Sequence, residues 1–306
     1  MKIFEKGSLK SEWLPFFIVE ISHVNRVVNK SNKEMFIMYL TEYHHHTDNS
    51  FDSKAEMDEV CELAIKNGIN EICFTEHFSV NPTAPTYGHM NFDRYFAQVK
   101  ECREKYRGRL VIKVGVELCE PHLLKEEYEQ ALSNLDLDFI LGSVHNIEEN
   151  KLRKYMQGKS RYEVYQGYFE EVHSMVSEAD IDVIAHLDLM KRYAKDSIGN
   201  YKLLEFQDVI ESILSKAIGR GIGIEINTSG LADGKVEETF PSMDILRLYK
   251  SLGGEILTIG SDSHRAKSVG SHLADAISMA KKVGFEYIYT FEMRKPKRIS
   301  LESYKY

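Results

Sequence analysis

The chain has 306 residues, of which 43% are hydrophobic and 28% are charged. The length fits one large or two modest domains. The composition is typical of a globular protein and excludes disordered and fibrous classes. Its formal net charge of −8 argues against broad nucleic-acid wrapping and against attachment to an anionic membrane surface. The 4 cysteines form no CxxC pair and no apolar run reaches the roughly 18–20 residues of a spanning helix, so we expect a cytoplasmic protein without a membrane span.

Residues 1–34 differ from the rest of the chain because they carry Lys and Asn without a convincing hydrophobic period. We expect them to form an N-terminal extension, and residues 35–306 to form a single domain. Translation that starts at Met35 or Met38 is an equally good interpretation of the same pattern.

From about Met35 onward, short β-rich runs alternate with longer helical ones, which is typical of repeated βα units around a parallel sheet. The predicted strands are 36–43, 71–75, 110–116, 138–144, 182–185, 223–226 and 256–260, with 287–291 as a possible eighth. The predicted helices are 54–66, 92–106, 123–133, 161–179, 203–218, 243–251 and 269–283. Two long connections, 79–91 and 146–160, are the candidate active-site loops.

Histidines are concentrated at the ends of the predicted strands. Six of the 12 lie there: His44, His46, His77, His145, His186 and His264. Strand alternation puts His44 and His46 on one face and His45 on the other. Because the carboxyl ends of all strands meet at one face of a parallel barrel, we expect these imidazoles to converge.

Three carboxylates accompany the histidines: Asp52 follows the first strand, Glu117 ends the third, and Asp262 follows the seventh. A single histidine at a strand end is more often an ordinary core residue. So many buried imidazoles and carboxylates would, however, cost several kcal/mol per unpaired group without cations. Nitrogen and oxygen donors suit Zn, Mn or Fe and disfavour Mg or Ca, so the pattern predicts a catalytic metal centre.

The order of these motifs resembles the polymerase-and-histidinol-phosphatase (PHP) superfamily over residues 38–292. The motifs are His-x-His at 44–46, Thr-Glu-His at 75–77, Gly-Val-Glu at 115–117, Gly-Ser-Val-His at 142–145, Ala-His at 185–186 and Ser-Asp-Ser-His at 261–264. Within the superfamily, the elements Gly-Ser-Val-His-Asn at 142–146 and His-Leu-Asp-Leu-Met-Lys-Arg-Tyr at 186–193 most resemble the monofunctional histidinol-phosphate phosphatases.

The resemblance implies an α/β fold, a distorted (β/α)7 TIM-like barrel, with three divalent cations (Zn, Mn or Fe) at the carboxyl ends of the strands. It also implies their ligands: His44, His46, Glu117 and Asp262 for the first cation; Glu117, His145 and His186 for the second; Asp52, His77 and His264 for the third. Two positions depart from the family pattern. Asp52 stands where many relatives have His, and Glu76 stands where Asp is usual; we expect Glu76 to orient the His77 imidazole.

Such a centre attracts a phosphate dianion, and a hydroxide that bridges two metals is the expected nucleophile. We expect Asp262, Glu117 and His186 to be catalytic, with Asp262 or a metal-bound water supplying the proton for the leaving group. Arginine matches two phosphate oxygens at once, which favours Arg192, and secondly Arg161, as phosphate-binding residues.

The resemblance favours a metal-dependent phosphomonoesterase that hydrolyses L-histidinol phosphate to L-histidinol and phosphate in histidine biosynthesis. A small-molecule phosphate monoester is then the expected partner. A PHP-type nuclease or nucleotide phosphoesterase is the alternative, against which the net charge of −8 counts. A metal-binding accessory domain of a polymerase ranks last, since all nine ligand positions hold a metal-binding residue type.

Several polar residues near these motifs have an ordinary structural interpretation. Asn227 ends the sixth predicted strand and has no obvious ligand role, so it fits a contact to substrate or to a loop equally well. Lys191 and Arg265 are expected at the surface, and His89 in a solvated loop.

Overall fold

A barrel of seven parallel strands forms the centre of the protein in a computed structural model that describes residues 16–19, 26–29, 35–232, 234, 236–302 and 304–305. The strands are β1 (Thr41–His45), β2 (Glu71–Phe78), β3 (Val111–Cys119), β4 (Phe139–Ser143), β5 (Val183–Ile184), β6 (Gly223–Asn227) and β7 (Leu257–Gly260). Each strand pairs in parallel with the next one along the chain. The predicted α/β barrel is therefore confirmed.

The barrel closes between its last and first strands, just beyond their carboxyl ends. His45 and Ser263 form a parallel bridge, the Asp262 amide donates to the His44 carbonyl at 2.8 Å, and the His46 amide donates to the Ser263 carbonyl at 3.0 Å. These bonds bring the residues that follow β7 beside those that end β1.

Helices surround the barrel and bury their apolar faces against it. The longer ones are Met57–Lys66, Phe92–Lys105, Lys125–Leu132, Arg161–Glu178, Lys191–Ile198, Gln207–Gly219, Met243–Ser251 and Leu273–Val283. Short helical turns occur at Leu152–Tyr155, Leu203–Glu205, Ser229–Ala232 and Ala266–Ser268. The helix Arg161–Glu178 begins at the predicted residue, because Ser160 and Glu163 form a reciprocal capping box at its amino end.

The possible eighth strand, 287–291, is a strand, but it lies outside the seven-stranded barrel. Tyr287–Glu292 instead pairs with Lys295–Ser300 in an antiparallel hairpin, because β7 already meets β1 and leaves no edge for a further strand. The hairpin covers the amino end of the barrel, where the Phe291 ring packs 4.8 Å from the Phe139 ring. The carboxyl end is left to polar residues.

The first predicted strand, 36–43, is divided between two sheets. Met35–Ile37 pairs with Arg26–Asn29 and Tyr304–Lys305 in an antiparallel sheet that also contains Phe16–Val19, and β1 begins only at Thr41. The rest of the expected extension, 1–15, 20–25 and 30–34, lies outside the described residues. A small hairpin of Asn146–Ile147 and Asn150–Lys151 follows β4. Within the described ranges, no helix combines the length and apolar content of a membrane crossing.

Candidate metal centre

Glu117 lies at the centre of the histidine cluster. It projects from β3 and is fully buried, at 0% exposure. Five imidazoles surround its carboxylate: Oε2 lies 2.9 Å from His77 Nδ1, 3.3 Å from His44 Nε2 and 3.4 Å from His46 Nε2, and Oε1 lies 2.9 Å from His186 Nε2 and 3.5 Å from His145 Nε2. The strand ends therefore bring together residues that are distant in the sequence.

The residues predicted for the first cation form one compact group. His44 Nε2 and His46 Nε2 lie 3.1 Å apart, and Asp262 Oδ1 lies 3.5 Å from each of them. Glu117 Oε2 completes the group, so the Nε2 atoms of His44 and His46 and one oxygen each of Asp262 and Glu117 surround the position predicted for the first cation.

The other two predicted groups are also assembled. His145 Nε2 lies 3.3 Å from His186 Nε2, and both face Glu117 Oε1. On the cavity side, Asp52 Oδ2 lies 3.6 Å from His77 Nε2, and Asp52 Oδ1 lies 3.4 Å from His264 Nε2. Asp52 is the most open of the predicted ligands, with 38% of its side chain exposed.

Hydrogen bonds to Nδ1 determine which ring nitrogen of His44 and His46 is left to face the centre. His44 Nδ1 lies 2.7 Å from the Glu225 carboxylate, to which it can only donate. Ser50 donates its hydroxyl hydrogen to Glu76 at 2.6 Å, so its oxygen accepts from His46 Nδ1 at 3.0 Å. In the neutral form of each ring, Nε2 is then the unprotonated nitrogen, and it faces the centre.

The same arrangement holds for two further histidines. His264 Nδ1 donates to the Asp262 carbonyl at 3.2 Å. His145 Nδ1 lies 3.4 Å from the Ser143 hydroxyl, which itself donates to the Leu118 carbonyl. When these rings are neutral, four Nε2 lone pairs face one another and carboxylate oxygens, an arrangement that repels unless cations or protons lie between them. The donor set therefore fits divalent metal ions.

The electrostatics keep the carboxylates of the centre ionised. Burial raises the pKa of Glu117, but the His77, His44 and His145 imidazoles outweigh it and hold that pKa well below its usual range. For Asp262, burial is likewise outweighed by His44 and His46. Burial lowers the pKa of His145 to about 3. Burial also lowers the pKa of His44, His77 and His264, but neighbouring carboxylates outweigh it and raise the pKa of each ring, so a bound cation takes the place of protons on these imidazoles. Ionised carboxylates and a neutral imidazole are the forms that bind cations.

Two predicted ligands have backbone conformations that are uncommon for residues other than glycine. His186 has φ = 27° and Asp262 has φ = 52°. The His186 amide donates to Glu225 Oε2 at 2.9 Å, and the Asp262 amide donates to the His44 carbonyl. These bonds hold the strained turns that aim both side chains at the centre.

Glu225 is a site residue that the sequence interpretation missed. It lies on the inner face of β6, is 1% exposed, and binds both His44 and His186. Asn227, two residues further, donates to Glu225 Oε2 at 3.1 Å. A carboxylate within an otherwise apolar buried strand, Gly-Ile-Glu-Ile-Asn, is a signal that could have identified it. The sixth strand thus contributes a carboxylate that orients ligands.

Two expectations about neighbouring residues, Glu76 and Lys191, are wrong, and a third residue, Arg161, lies away from the cavity. Glu76 accepts from Thr47 and from Ser50. Through Ser50 it orients the His46 ring, whereas for His77 only the backbone amide, and not the imidazole, binds Ser50. Lys191 is buried, at 1% exposure, because it pairs with the buried Asp188 at 2.9 Å. Arg161, a predicted phosphate-binding residue, forms two bonds of 2.6 Å with Glu205 and does not line the cavity.

The other neighbours agree with the sequence pattern. The His45 ring lies against Phe74, with 6.2 Å between ring centroids, away from the group around Glu117. Arg265 is exposed.

A cavity of about 450 Å³ opens over the centre. Both candidate loops contribute to its wall: residues 84–86 from the first, and Asn146 and residues 151–153 from the second. Arg192 lines it too; its guanidinium lies 3.9 Å from Asp262 Oδ2, donates to Ser229, and stacks 4.9 Å from the Phe240 ring. Lys151 and Arg153 add positive charge, so the cavity combines acidic cation ligands with basic groups suited to an anion.

The sequence is also similar to known proteins of one family. The PHP domain profile matches residues 42–229. A probable histidinol-phosphatase of Clostridium acetobutylicum is 33% identical, over 82% of this chain and 96% of that protein. A probable phosphatase of Thermoanaerobacter sp. is 26% identical, over 79% of this chain and 85% of that protein.

One solved structure is similar over nearly its whole length. It is histidinol phosphate phosphatase from Lactococcus lactis, complexed with Zn, L-histidinol and phosphate. The TM-score is 0.79 and the identity 28%, covering 85% of this chain and 99% of that chain.

Proposed function

Because the chain belongs to the PHP domain family, we propose that it is a metal-dependent phosphomonoesterase that hydrolyses L-histidinol phosphate to L-histidinol and phosphate. The observation that carries this proposal is the convergence of four histidine Nε2 atoms on carboxylate oxygens beneath a cavity that Arg192, Lys151 and Arg153 also line. The substrate is proposed from the relatives, since the Lactococcus lactis protein was solved with L-histidinol and phosphate.

The nine predicted ligands are proposed to hold three divalent cations. Bound there, the cations would polarise phosphoryl oxygens and lower the pKa of a water molecule. Glu117 is suited to bridge two of them, since Oε2 faces His44 and His46 while Oε1 faces His145 and His186.

Asp262 is proposed to accept a proton from the attacking water. Its Oδ1 faces His44 and His46. Its Oδ2 accepts from the Ser229 hydroxyl at 3.3 Å and lies 3.9 Å from the Arg192 guanidinium. Because its pKa is held well below the usual range, the carboxylate is ionised at neutral pH. It therefore serves better as a proton acceptor than as the proton donor for the leaving alcohol.

Arg192 is proposed to bind the phosphate of the substrate. Stacking on Phe240 and bonding to Ser229 fix the guanidinium at the cavity wall, and a fixed, planar donor fork loses little entropy when it binds two oxygens. Arg161, paired with Glu205, has no part in this proposal.

The experiment that tests the proposed function compares three substrates. Protein loaded with Mn²⁺ or Zn²⁺ is assayed on L-histidinol phosphate, a 5′-nucleotide and a single-stranded oligonucleotide, with an Asp262→Asn variant carrying the same metal load as the control for contaminating phosphatase. We expect the highest kcat/KM with L-histidinol phosphate and almost no release of phosphate by the variant. Turnover of the oligonucleotide alone would instead support the nuclease alternative.

A further inference from the structure

Cys119 lies beside the metal centre, although no predicted ligand set includes a cysteine. It stands two residues after Glu117 on β3, so strand alternation turns both side chains to the same face. Cys119 is 6% exposed, and it lines the cavity next to His77 and His145.

Two histidines complete a donor group with this thiol. Cys119 Sγ and one ring nitrogen each of His77 and His145 all lie within 4.8 Å of one another. Within the part of the chain that the structure describes, no group of this kind contains Cys61, Cys73 or Cys102. The position of Cys119 is therefore distinctive among the four cysteines.

The His77 ring has a nitrogen to contribute. Its Nε2 faces Asp52, as the third cation requires. Its buried Nδ1 lies 2.9 Å from Glu117 Oε2 but does not form a hydrogen bond there, so within the described residues this nitrogen is open to a cation. His77 is 7% exposed, so solvent does not supply a partner readily.

We propose that Cys119, His77 and His145 form a sulfur-containing cation site at the edge of the metal centre, with a preference for Zn²⁺ over Mn²⁺. Thiolate sulfur favours borderline-soft cations, whereas Mn²⁺ favours oxygen ligands. A tetrahedral zinc holds sulfur and nitrogen ligands about 3.6 Å apart, a separation that lies inside the 4.8 Å that encloses the three atoms. When the S–Zn bond forms, the thiol proton passes to solvent.

The site has a consequence for the neighbouring groups because it shares residues with them. His145 also faces Glu117 and His186, and His77 also faces Asp52. A zinc ion held by the sulfur competes for these two imidazoles, so the number and position of bound cations depend on which metal is supplied. Mn²⁺, which favours oxygen ligands, is expected to bind with His145 beside Glu117 and with His77 beside Asp52, and not at the sulfur.

Cobalt provides the test, because Co²⁺ occupies zinc sites and a Co–thiolate bond gives a charge-transfer band in the near ultraviolet. Metal-free full-length protein is titrated with Co²⁺ as wild type, as Cys119→Ser and as Cys102→Ser. Cys102 is the matched control, because it is a buried cysteine on the helix Phe92–Lys105. We expect the band in the wild type and in Cys102→Ser, and its loss in Cys119→Ser. A wild type without the band, or a Cys119→Ser variant that keeps it, would overturn the proposal.

A second measurement does not depend on any variant folding. The wild-type protein loaded with ¹¹³Cd²⁺ is expected to show one cadmium resonance shifted strongly downfield, as a sulfur ligand requires, beside resonances typical of nitrogen and oxygen ligands. Only nitrogen and oxygen resonances would overturn the site. Neither spectrum depends on hydrolysis, so failure of this proposal and failure of the proposed phosphatase activity are separate results.

Discussion

Glu225 shows how one buried carboxylate orders two predicted metal ligands. It accepts from the His44 ring and from the His186 amide, so it fixes both the tautomer of one imidazole and the strained turn that carries the other. Partners of this kind raise the basicity of a ligand and hold its direction.

Replacement of Glu225 by Gln is therefore expected to weaken zinc binding about 10- to 100-fold, because an amide orients the His44 ring less strongly than a carboxylate. Competition with a chromogenic chelator measures the affinity. Glu255→Gln is the matched control, since Glu255 is exposed and pairs only with Arg298 among the contacts described. Equal affinity in the two variants would show that Glu225 does not position His44.

Glu42 gives the apo protein a defined pH dependence. Burial raises the pKa of Glu42 from 4.5 to about 7, although the Ser261 and His44 amides donate to it. Because the folded state binds this proton more tightly than the unfolded state, the stabilisation is complete below pH 4.5 and is lost as the pH rises through 7.

The free energy of unfolding of wild type, minus that of Glu42→Gln, is expected to fall by about 3 kcal/mol at most over this range. Urea unfolding of metal-free protein at a series of pH values measures the difference. A difference that stays constant with pH would contradict the assignment to Glu42.

At the scale of single residues, sequence reasoning identified the groups that converge but not those that orient them. The His and carboxylate types at strand ends predicted the cluster around Glu117. Glu225 and Ser50 were missed because a partner that orients a ligand is defined by contacts across the barrel, and no spacing along the chain records those contacts. For the same reason Glu76 was predicted to orient the His77 imidazole, whereas its contact through Ser50 reaches the His46 ring.

The segment that follows β5 acts as one structural unit. His186 begins it, Arg192 lies on the helix Lys191–Ile198, and Lys191 anchors that helix: its ammonium pairs with Asp188 at 2.9 Å and donates to the Thr239 carbonyl at 2.8 Å. A buried cation costs free energy unless it is paired, so these contacts define the position of the helix start.

Lys191→Met is expected to lower the free energy of unfolding by about 3–5 kcal/mol, since it leaves the Asp188 charge buried without its cation. Lys216→Met, at an exposed position of the helix Gln207–Gly219, is the control and should change little. Chemical denaturation of both variants gives the answer. A change below about 1 kcal/mol for Lys191→Met would mean that the ion pair is not a structural anchor.

Arg192 and Arg161 provide a paired test of phosphate binding. Arg192→Lys keeps the charge but loses the planar fork, so KM for the phosphate ester should rise about tenfold, equivalent to about 1.4 kcal/mol. Arg161→Lys should leave KM unchanged, because its guanidinium is bound to Glu205 outside the cavity. Steady-state kinetics measure KM for both variants. A rise in KM for Arg161→Lys without a rise for Arg192→Lys would indicate that Arg161, and not Arg192, binds the phosphate.

At the scale of elements, hydrophobic periodicity located the seven barrel strands and the loops that border the cavity. It could not tell the run at 287–291 from a barrel strand, because a strand of a covering hairpin has the same pattern. Whether this run can join the barrel depends on the closure between β7 and β1. That closure is a contact between residues more than 200 positions apart, which a local pattern does not record.

The whole molecule separates an apolar end of the barrel from a polar one. At the amino end, Tyr43, Phe139 and Phe291 fill the interior, and Arg294 ties the hairpin to Asp182 at 3.0 Å. At the carboxyl end, the interior holds imidazoles and carboxylates whose lone pairs face one another. Such an arrangement is stable only if cations or protons separate the donors, which makes cation binding the central claim.

Counting bound metal tests this claim most directly. The protein is stripped with a chelator, dialysed against Zn²⁺ or Mn²⁺ at neutral pH, and analysed by mass spectrometry of the metal against protein concentration, with His186→Ala alongside. We predict several tightly bound divalent cations per chain, approaching three, and fewer in the variant. Less than one cation per chain in the wild type, or an equal count in the variant, would contradict the account.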